Sequence, residues 1–169
     1  MSNIAKLKEN DVIEYTFSEN RFAVVPVGGC GNLKHWITMK IIEQFNIPYC
    51  VLLDSDKGTK EEFINATTIS SLRAEGIKAY TTRKREPENY IYPSCLGLAD
   101  ENFPSYSDTD DAKQIISAAM SIKKENVIDY YWTKMSFDQI RKTEEYIDDG
   151  VKKYEFSDMI IDFFSLIPN

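Results

Sequence analysis

Two aspartates, Asp54 and Asp56, stand at the end of the apolar run Tyr49-Cys50-Val51-Leu52-Leu53 and lead into Lys57-Gly58-Thr59. Side chains alternate along a strand, so residues two apart share a face. Two like charges held that close raise at least one pKa unless a cation lies between them. Carboxylates with this spacing at a strand end make a hard-oxygen platform for Mg²⁺ or Mn²⁺, which keeps several waters and accepts phosphate oxygens. A metal held there polarises a phosphodiester and lowers the pKa of an attacking water. The same aspartates would equally serve as caps of the turn ahead of the Thr59 helix. The pair alone leaves both readings open.

Two further clusters bear on that choice. Pro26-Val27-Gly28-Gly29-Cys30-Gly31-Asn32 is a glycine loop without the lysine ending of a Walker A motif or the spacing of a dinucleotide fingerprint. Gly28, Gly29 and Gly31 can bring backbone N–H groups up to a phosphate at a helix start, with Lys57 as a nearby charge. A tight strand-to-helix turn accounts for the glycines as well. The run Lys84–Pro93 offers Glu86 and Glu88 between basic residues and a tyrosine. Most such runs are solvated loops, yet at the end of a strand in the same sheet these carboxylates would face a metal on Asp54 and Asp56.

The elements that must position these groups follow from periodicity. Residues 21–29 read as a short apolar strand ending in glycines, and Leu33, Trp36, Ile37, Ile41 and Phe45 fall at helical spacing behind Asn32 as N-cap. Asn46 and Pro48 stop that helix, and residues 49–53 read as a strand buried on both faces. Thr59-Lys60-Glu61-Glu62 has the form of a capping box opening a helix to about Gly76, and residues 77–82 read as another strand. Strand–helix–strand–helix–strand implies right-handed crossovers and a mostly parallel sheet. Helices are expected near 111–125, 136–148 and 155–166, after a polar loop at 97–111, and residues 12–26 are compatible with a hairpin.

Composition bounds the function. The chain has 169 residues, 43% of them hydrophobic and 28% charged, with a net charge of −7. That balance fits one globular domain and argues against a general nucleic-acid coat, though not against an enzyme that meets DNA through a metal in an acidic pocket. Cys30, Cys50 and Cys95 are widely spaced and His35 is the only histidine, so a zinc site is not expected and free thiols are. No apolar run approaches a membrane span, and the N-terminus lacks a signal core, which makes the cytoplasm the expected compartment.

In order, the glycine loop, the Asp54/Asp56 strand end and the Lys84–Ile91 run resemble the Toprim domain of the OLD (overcoming lysogenization defect) family, over roughly residues 20–95. The resemblance implies a Toprim/Rossmann-like α/β sheet flanked by helices, with an N-terminal segment at 1–20 and a helical C-terminal extension at 96–169. It implies divalent-metal-dependent cleavage of DNA in phage defence, with Asp54 and Asp56 binding Mg²⁺ or Mn²⁺ and Glu86 and Glu88 as additional catalytic carboxylates. An ABC-type ATPase domain or subunit is the implied partner. The family also carries a basic residue in its C-terminal helical part, for which Lys153 is a candidate.

One departure stands beside the match. A Toprim domain begins with a strand ending in glutamate and a helix, but only Glu9, Glu14 and Glu19 precede Val24, and none is followed by glycine. Ten residues from Glu14 to Val24 are too few for a crossover, which needs about a dozen. The first catalytic element is therefore expected to be missing, and the chain to be an incomplete or split module with weak cleavage of its own. A non-catalytic interaction module is the alternative. A haloacid-dehalogenase-like phosphatase ranks lower, because Gly58 stands where that turn needs threonine or valine.

Overall fold

The apolar run Cys50-Val51-Leu52-Leu53 forms strand β1 (Cys50–Leu53) in the computed structural model of the chain. The structure describes residues 2–19, 22–28, 31–33, 44, 47–98 and 100–166. β1 pairs in parallel with β2 (Lys78–Thr81), Cys50 opposite Lys78 and Leu53 opposite Thr81. The crossover between them is helix α2 (Glu61–Ala74). Its Ile69 and Leu72 are buried with Val51, Leu53, Ala79 and Leu33 in one apolar cluster, which fixes where the strand ends sit. Gly76, at φ +83, takes the left-handed conformation that lets the helix stop and the chain turn into β2.

The start of α2 differs in detail from the expected capping box. The Thr59 hydroxyl donates to the Asp56 carbonyl at 2.7 Å, and its oxygen receives the Glu61 N–H at 3.2 Å. Glu62 reaches back past Thr59 to the Gly58 N–H at 2.9 Å. The cap is displaced because Thr59 also closes the aspartate turn.

The parallel sheet is smaller than periodicity suggests. Residues 22–28 carry no strand pairing; Val24 is 72% exposed and Val25 60%, and only Val27 packs against the β1–α2 cluster. Pro26 has no N–H to give a ladder, which disfavours pairing at that point. β1 itself is buried on one face only, since Leu52 is 43% exposed. Gly29, Cys30 and most of the helix expected from Asn32 to Phe45 lie outside the described residues, while residues 31–33 are helical and Leu33 is buried.

No strand forms among the described residues where the N-terminal hairpin was expected. Helix α1 (Asn3–Glu9) is capped by Ser2, whose Oγ accepts the Ala5 N–H at 3.2 Å. Glu19 closes a turn on the Thr16 N–H at 2.8 Å, so residues that would have paired as strands are held locally. Leu7 and Ile13 are buried against Met135, Ile140 and Ile160, and Phe17, Phe22 and Phe164 pack ring to ring. The N-terminal segment thus rests on the C-terminal helices.

The C-terminal part contains α3 (Ala112–Met120), α4 (Val127–Tyr131), α5 (Phe137–Glu144), a hairpin of β3 (Glu145–Asp148) and β4 (Val151–Tyr154), and α6 (Glu155–Phe164). The helix expected over 136–148 stops at Glu144 because the next residues pair as a hairpin. Asp149 at φ 47 and Gly150 at φ 77 supply the two left-handed positions its turn requires. Glu144 is fully buried, taking the Arg141 guanidinium and the Ser157 hydroxyl on one oxygen and the Ser157 N–H on the other, each at 2.8 Å. Among the described residues no helix is long and apolar enough to cross a membrane.

Candidate metal and phosphate site

Because β1 and β2 are parallel, both deliver their C-terminal ends to one edge of the sheet. The loops that follow are joined to each other. The Thr82 N–H donates to the Leu53 carbonyl at 3.0 Å, and the Ser55 N–H donates to Thr82 Oγ1 at 2.9 Å. The Ser55 and Thr82 hydroxyls both donate to the Lys84 carbonyl, each at 2.7 Å, and the Asp56 N–H donates to the Arg85 carbonyl at 3.0 Å. Thr82 is 4% exposed and acts as the hub. These bonds bring the carboxylates of one loop beside those of the other.

Asp56 sits at φ +50, a left-handed conformation that Asp tolerates better than most residues. Its Oδ2 accepts from Asn65 Nδ2 at 2.7 Å, and the same amide holds the Asp54 carbonyl at 2.9 Å. Asn65 lies on the buried face of α2, 3% exposed, so the helix fixes the orientation of the aspartate turn. Glu86 caps two elements: its N–H donates to Asn89 Oδ1 at 3.2 Å, and its Oε1 accepts the Lys113 N–H at 3.0 Å. Glu88 is 3% exposed, with Oε1 at 3.1 Å from Lys113 Nζ and Oε2 buried without a hydrogen-bond partner.

The electrostatics follow from this crowding. Asp54 opens to solvent, yet burial of its carboxyl, then the charges of Asp56 and Glu88, push its pKa up to about 6 against the opposing pull of Lys113; Glu86 adds to the rise. Burial also raises Glu86, the Lys113 N–H opposing it and the Glu88 charge adding to it. Against burial, which would lower it, the bond to Glu88 and the charges of Glu88, Glu86 and Asp54 raise the Lys113 ammonium. Four carboxylates from two loops therefore feel one another, with Lys113 among them.

Asp54 and Asp56 line a cleft of about 430 Å³ together with Gly28, Leu52, Asn65 and Phe163. Gly28, at φ +76, would bring an added Cβ within 2.9 Å of the Asn32 side-chain amide, so the turn needs glycine there. Gly31 opens a helical stretch and Gly29 lies outside the described residues. Lys57 is half-buried in the turn after Asp56. Lys153 lies on β4 with its ammonium 3.6 Å from Asp148.

The two loops that the motifs singled out thus meet at one sheet edge, and the glycine turn shares the cleft. Asn65, Thr82 and Lys113 escaped the sequence reading. A polar Asn on the core stripe of a helix, four residues before Ile69, is a signal that could have marked the first. Nothing local marks Lys113, which arrives from a separate helix. Among the described residues no three His, Cys, Asp or Glu side chains converge closely enough to ligate an ion by themselves.

Comparison with protein families matches residues 4–56 to the overcoming lysogenization defect protein-like TOPRIM domain. The matched stretch takes in α1, residues 22–28, β1 and both aspartates; Glu86 and Glu88 lie beyond it. No curated protein and no solved structure matches the chain.

Proposed function

We propose, from the premise that residues 4–56 are an OLD-like TOPRIM segment, that this chain is a metal-dependent nuclease module acting on the phosphodiester bonds of DNA. The observation that carries the reading is the meeting of Asp54 and Asp56 with Glu86 and Glu88 at one edge of a parallel sheet. The donor set fits a hard divalent cation, Mg²⁺ or Mn²⁺. Its oxygens are carboxylates, burial and then the like charges around Asp54 push its pKa up to about 6, and Glu88 keeps a buried acceptor without a partner. Mg²⁺ needs only one or two protein carboxylates when waters and phosphate oxygens complete its shell, so a pair suffices.

Asp54 and Asp56 would hold the ion, which supplies Lewis acidity to the phosphodiester and a more acidic water. Asn65 keeps the Asp56 carboxylate turned toward the cleft by holding its Oδ2. The backbone at Gly28 leaves room for a phosphate to approach, and Lys57 offers it a positive charge. Glu86 and Glu88 set the charge of the far side of the site. DNA is the partner this arrangement suits, and an ABC-type ATPase domain or subunit is the further partner we propose.

Titrating Mn²⁺ into the chain should release heat that an Asp54→Ala/Asp56→Ala variant does not. With supercoiled plasmid and Mn²⁺, the chain alone should nick slowly, since misplacing an ion by about 1 Å costs ~100-fold in rate. Equal binding by the double variant would overturn the metal reading. Fast nicking abolished by Asp54→Ala would show a site complete in this chain. Metal binding without any nicking, even with an ATPase partner added, would favour a non-catalytic interaction module.

A further inference from the structure

One face of β1 runs straight into the aspartate pair. Cys50, Leu52 and Asp54 alternate along the chain with residues of the other face, and all three line the cleft of about 430 Å³ that Asp56 shares. Every residue from Phe22 to Gly28 lines the same cleft, so that stretch makes a second wall, and Phe17 and Phe163 add aromatic rings. Much of this lining is uncovered apolar surface, since Leu52, Val24 and Val25 are all exposed. No lysine or arginine is among the described residues that line the cleft.

Those features select an occupant. The volume is that of a small-ligand site and admits neither a helix nor a duplex. Duplex DNA keeps its bases stacked inside and presents phosphates, which walls without cations do not grip. An unpaired nucleotide is different. Its base offers a flat face that stacks on aromatic and apolar side chains, and its phosphate is what a metal on Asp54 and Asp56 would take. A base in a duplex must first give up its pairing and stacking to enter such a cleft, a cost that a single strand does not meet.

We propose that the apolar length of this cleft seats the base of one unpaired nucleotide, with its phosphate at Asp54 and Asp56, so that the chain acts on single-stranded rather than duplex DNA. The inference deepens the nuclease reading above and rests on it for the position of the phosphate; the seating of the base rests on the cleft alone. Supercoiled plasmid is then a substrate through its transiently unpaired segments, since negative supercoiling favours strand separation.

The test follows the fluorescence anisotropy of a labelled oligodeoxynucleotide in MnCl₂, read before nicking accumulates. It is offered as a single strand, as a duplex with its complement, and as a strand of abasic sites that keeps every phosphate and loses the bases. Wild type should bind the single strand ~10-fold more tightly than either of the others, the worth of one stacked base. Val25→Ser/Leu52→Ser changes two exposed positions, its fold checked by circular dichroism, and should bind the single strand no better than the abasic one. Equal binding of single and abasic strands by wild type, or a duplex bound as tightly as the single strand, would overturn the inference without recourse to any variant. So would a single strand held equally well in EDTA, or equally well by the folded double variant. Where the Mn²⁺ titration above still finds metal on Asp54 and Asp56, the metal reading survives each of these results. No Mn²⁺ bound to wild type would overturn that reading and, with it, the phosphate position proposed here.

Discussion

Replacing Asp54 with asparagine should make the protein more stable while removing a carboxylate from the proposed metal site. In the folded chain the Asp54 carboxyl is raised from 3.8 to about 6, first by burial and then by the charges of Asp56 and Glu88. A group that holds its proton more tightly when folded loses stability on ionising, so the cost is absent below 3.8, grows toward about 6 and is complete above it. About two pH units at about 1.4 kcal/mol each give an upper value of about 3 kcal/mol. Asp54 opens to solvent at the cleft, and screening there reduces the expected gain to about 1 kcal/mol. Asparagine keeps the shape and removes the charge. Urea denaturation in EDTA should therefore find Asp54→Asn more stable by about 1 kcal/mol at neutral pH, with the difference closing as pH falls through the same window. If the proposed site binds Mn²⁺, adding it should reverse the order, since only wild type would gain from binding. An Asp54→Asn variant less stable than wild type at neutral pH in EDTA would refute the argument that burial and neighbouring charge make the ionised Asp54 costly in the fold.

Two other substitutions separate orientation from folding. Asn65→Ala removes the amide that holds Asp56 Oδ2 and the Asp54 carbonyl; it should cost about 2 kcal/mol in urea denaturation and weaken Mn²⁺ binding ~10-fold by calorimetry. Glu144→Ala strips the fully buried carboxylate that joins α5 to α6; it should cost about 3 kcal/mol while leaving the Mn²⁺ affinity of the folded fraction unchanged.

The parts of the fold legible in the sequence are those decided by local chemistry. Val51 and Leu53 announce β1, Ile69 and Leu72 announce the buried face of α2, and Gly76 announces its end. That the Glu86/Glu88 loop follows β2 at the edge where the aspartate loop follows β1 is legible because a parallel sheet sends successive strand ends to the same edge. The hairpin at Glu145–Tyr154 carries its own signal. Asp149-Gly150 is a strong turn dipeptide that ends the helical spacing around Ile140. Residues 22–28 look like a strand from their valines, yet strand pairing depends on a neighbour and on N–H groups that Pro26 lacks. Lys113 depends on how α3 packs against the loop at Glu86, a long-range consequence that no window of sequence contains.

The loop from Gly97 to Asp111 looks from its polarity like a seam along which the chain could be divided, and its bonds say otherwise. The Arg85 N–H donates to the Asp108 carbonyl at 2.8 Å, and the Asn89 amide donates to the carbonyls of Ser107 and Asp110 at 2.8 and 3.1 Å. Together with Lys113 on Glu86, these bonds make the carboxylate loop a guest held in a frame supplied from downstream. A recombination event or an engineered graft that exchanged the C-terminal part at this loop would carry off that frame and leave Glu86 and Glu88 on an unsupported strand end. A transferable piece that keeps the site's shape therefore reaches past the first turn of α3, since Phe163 of α6 lines the cleft and Glu155 of α6 accepts the Arg83 N–H and the Tyr90 hydroxyl.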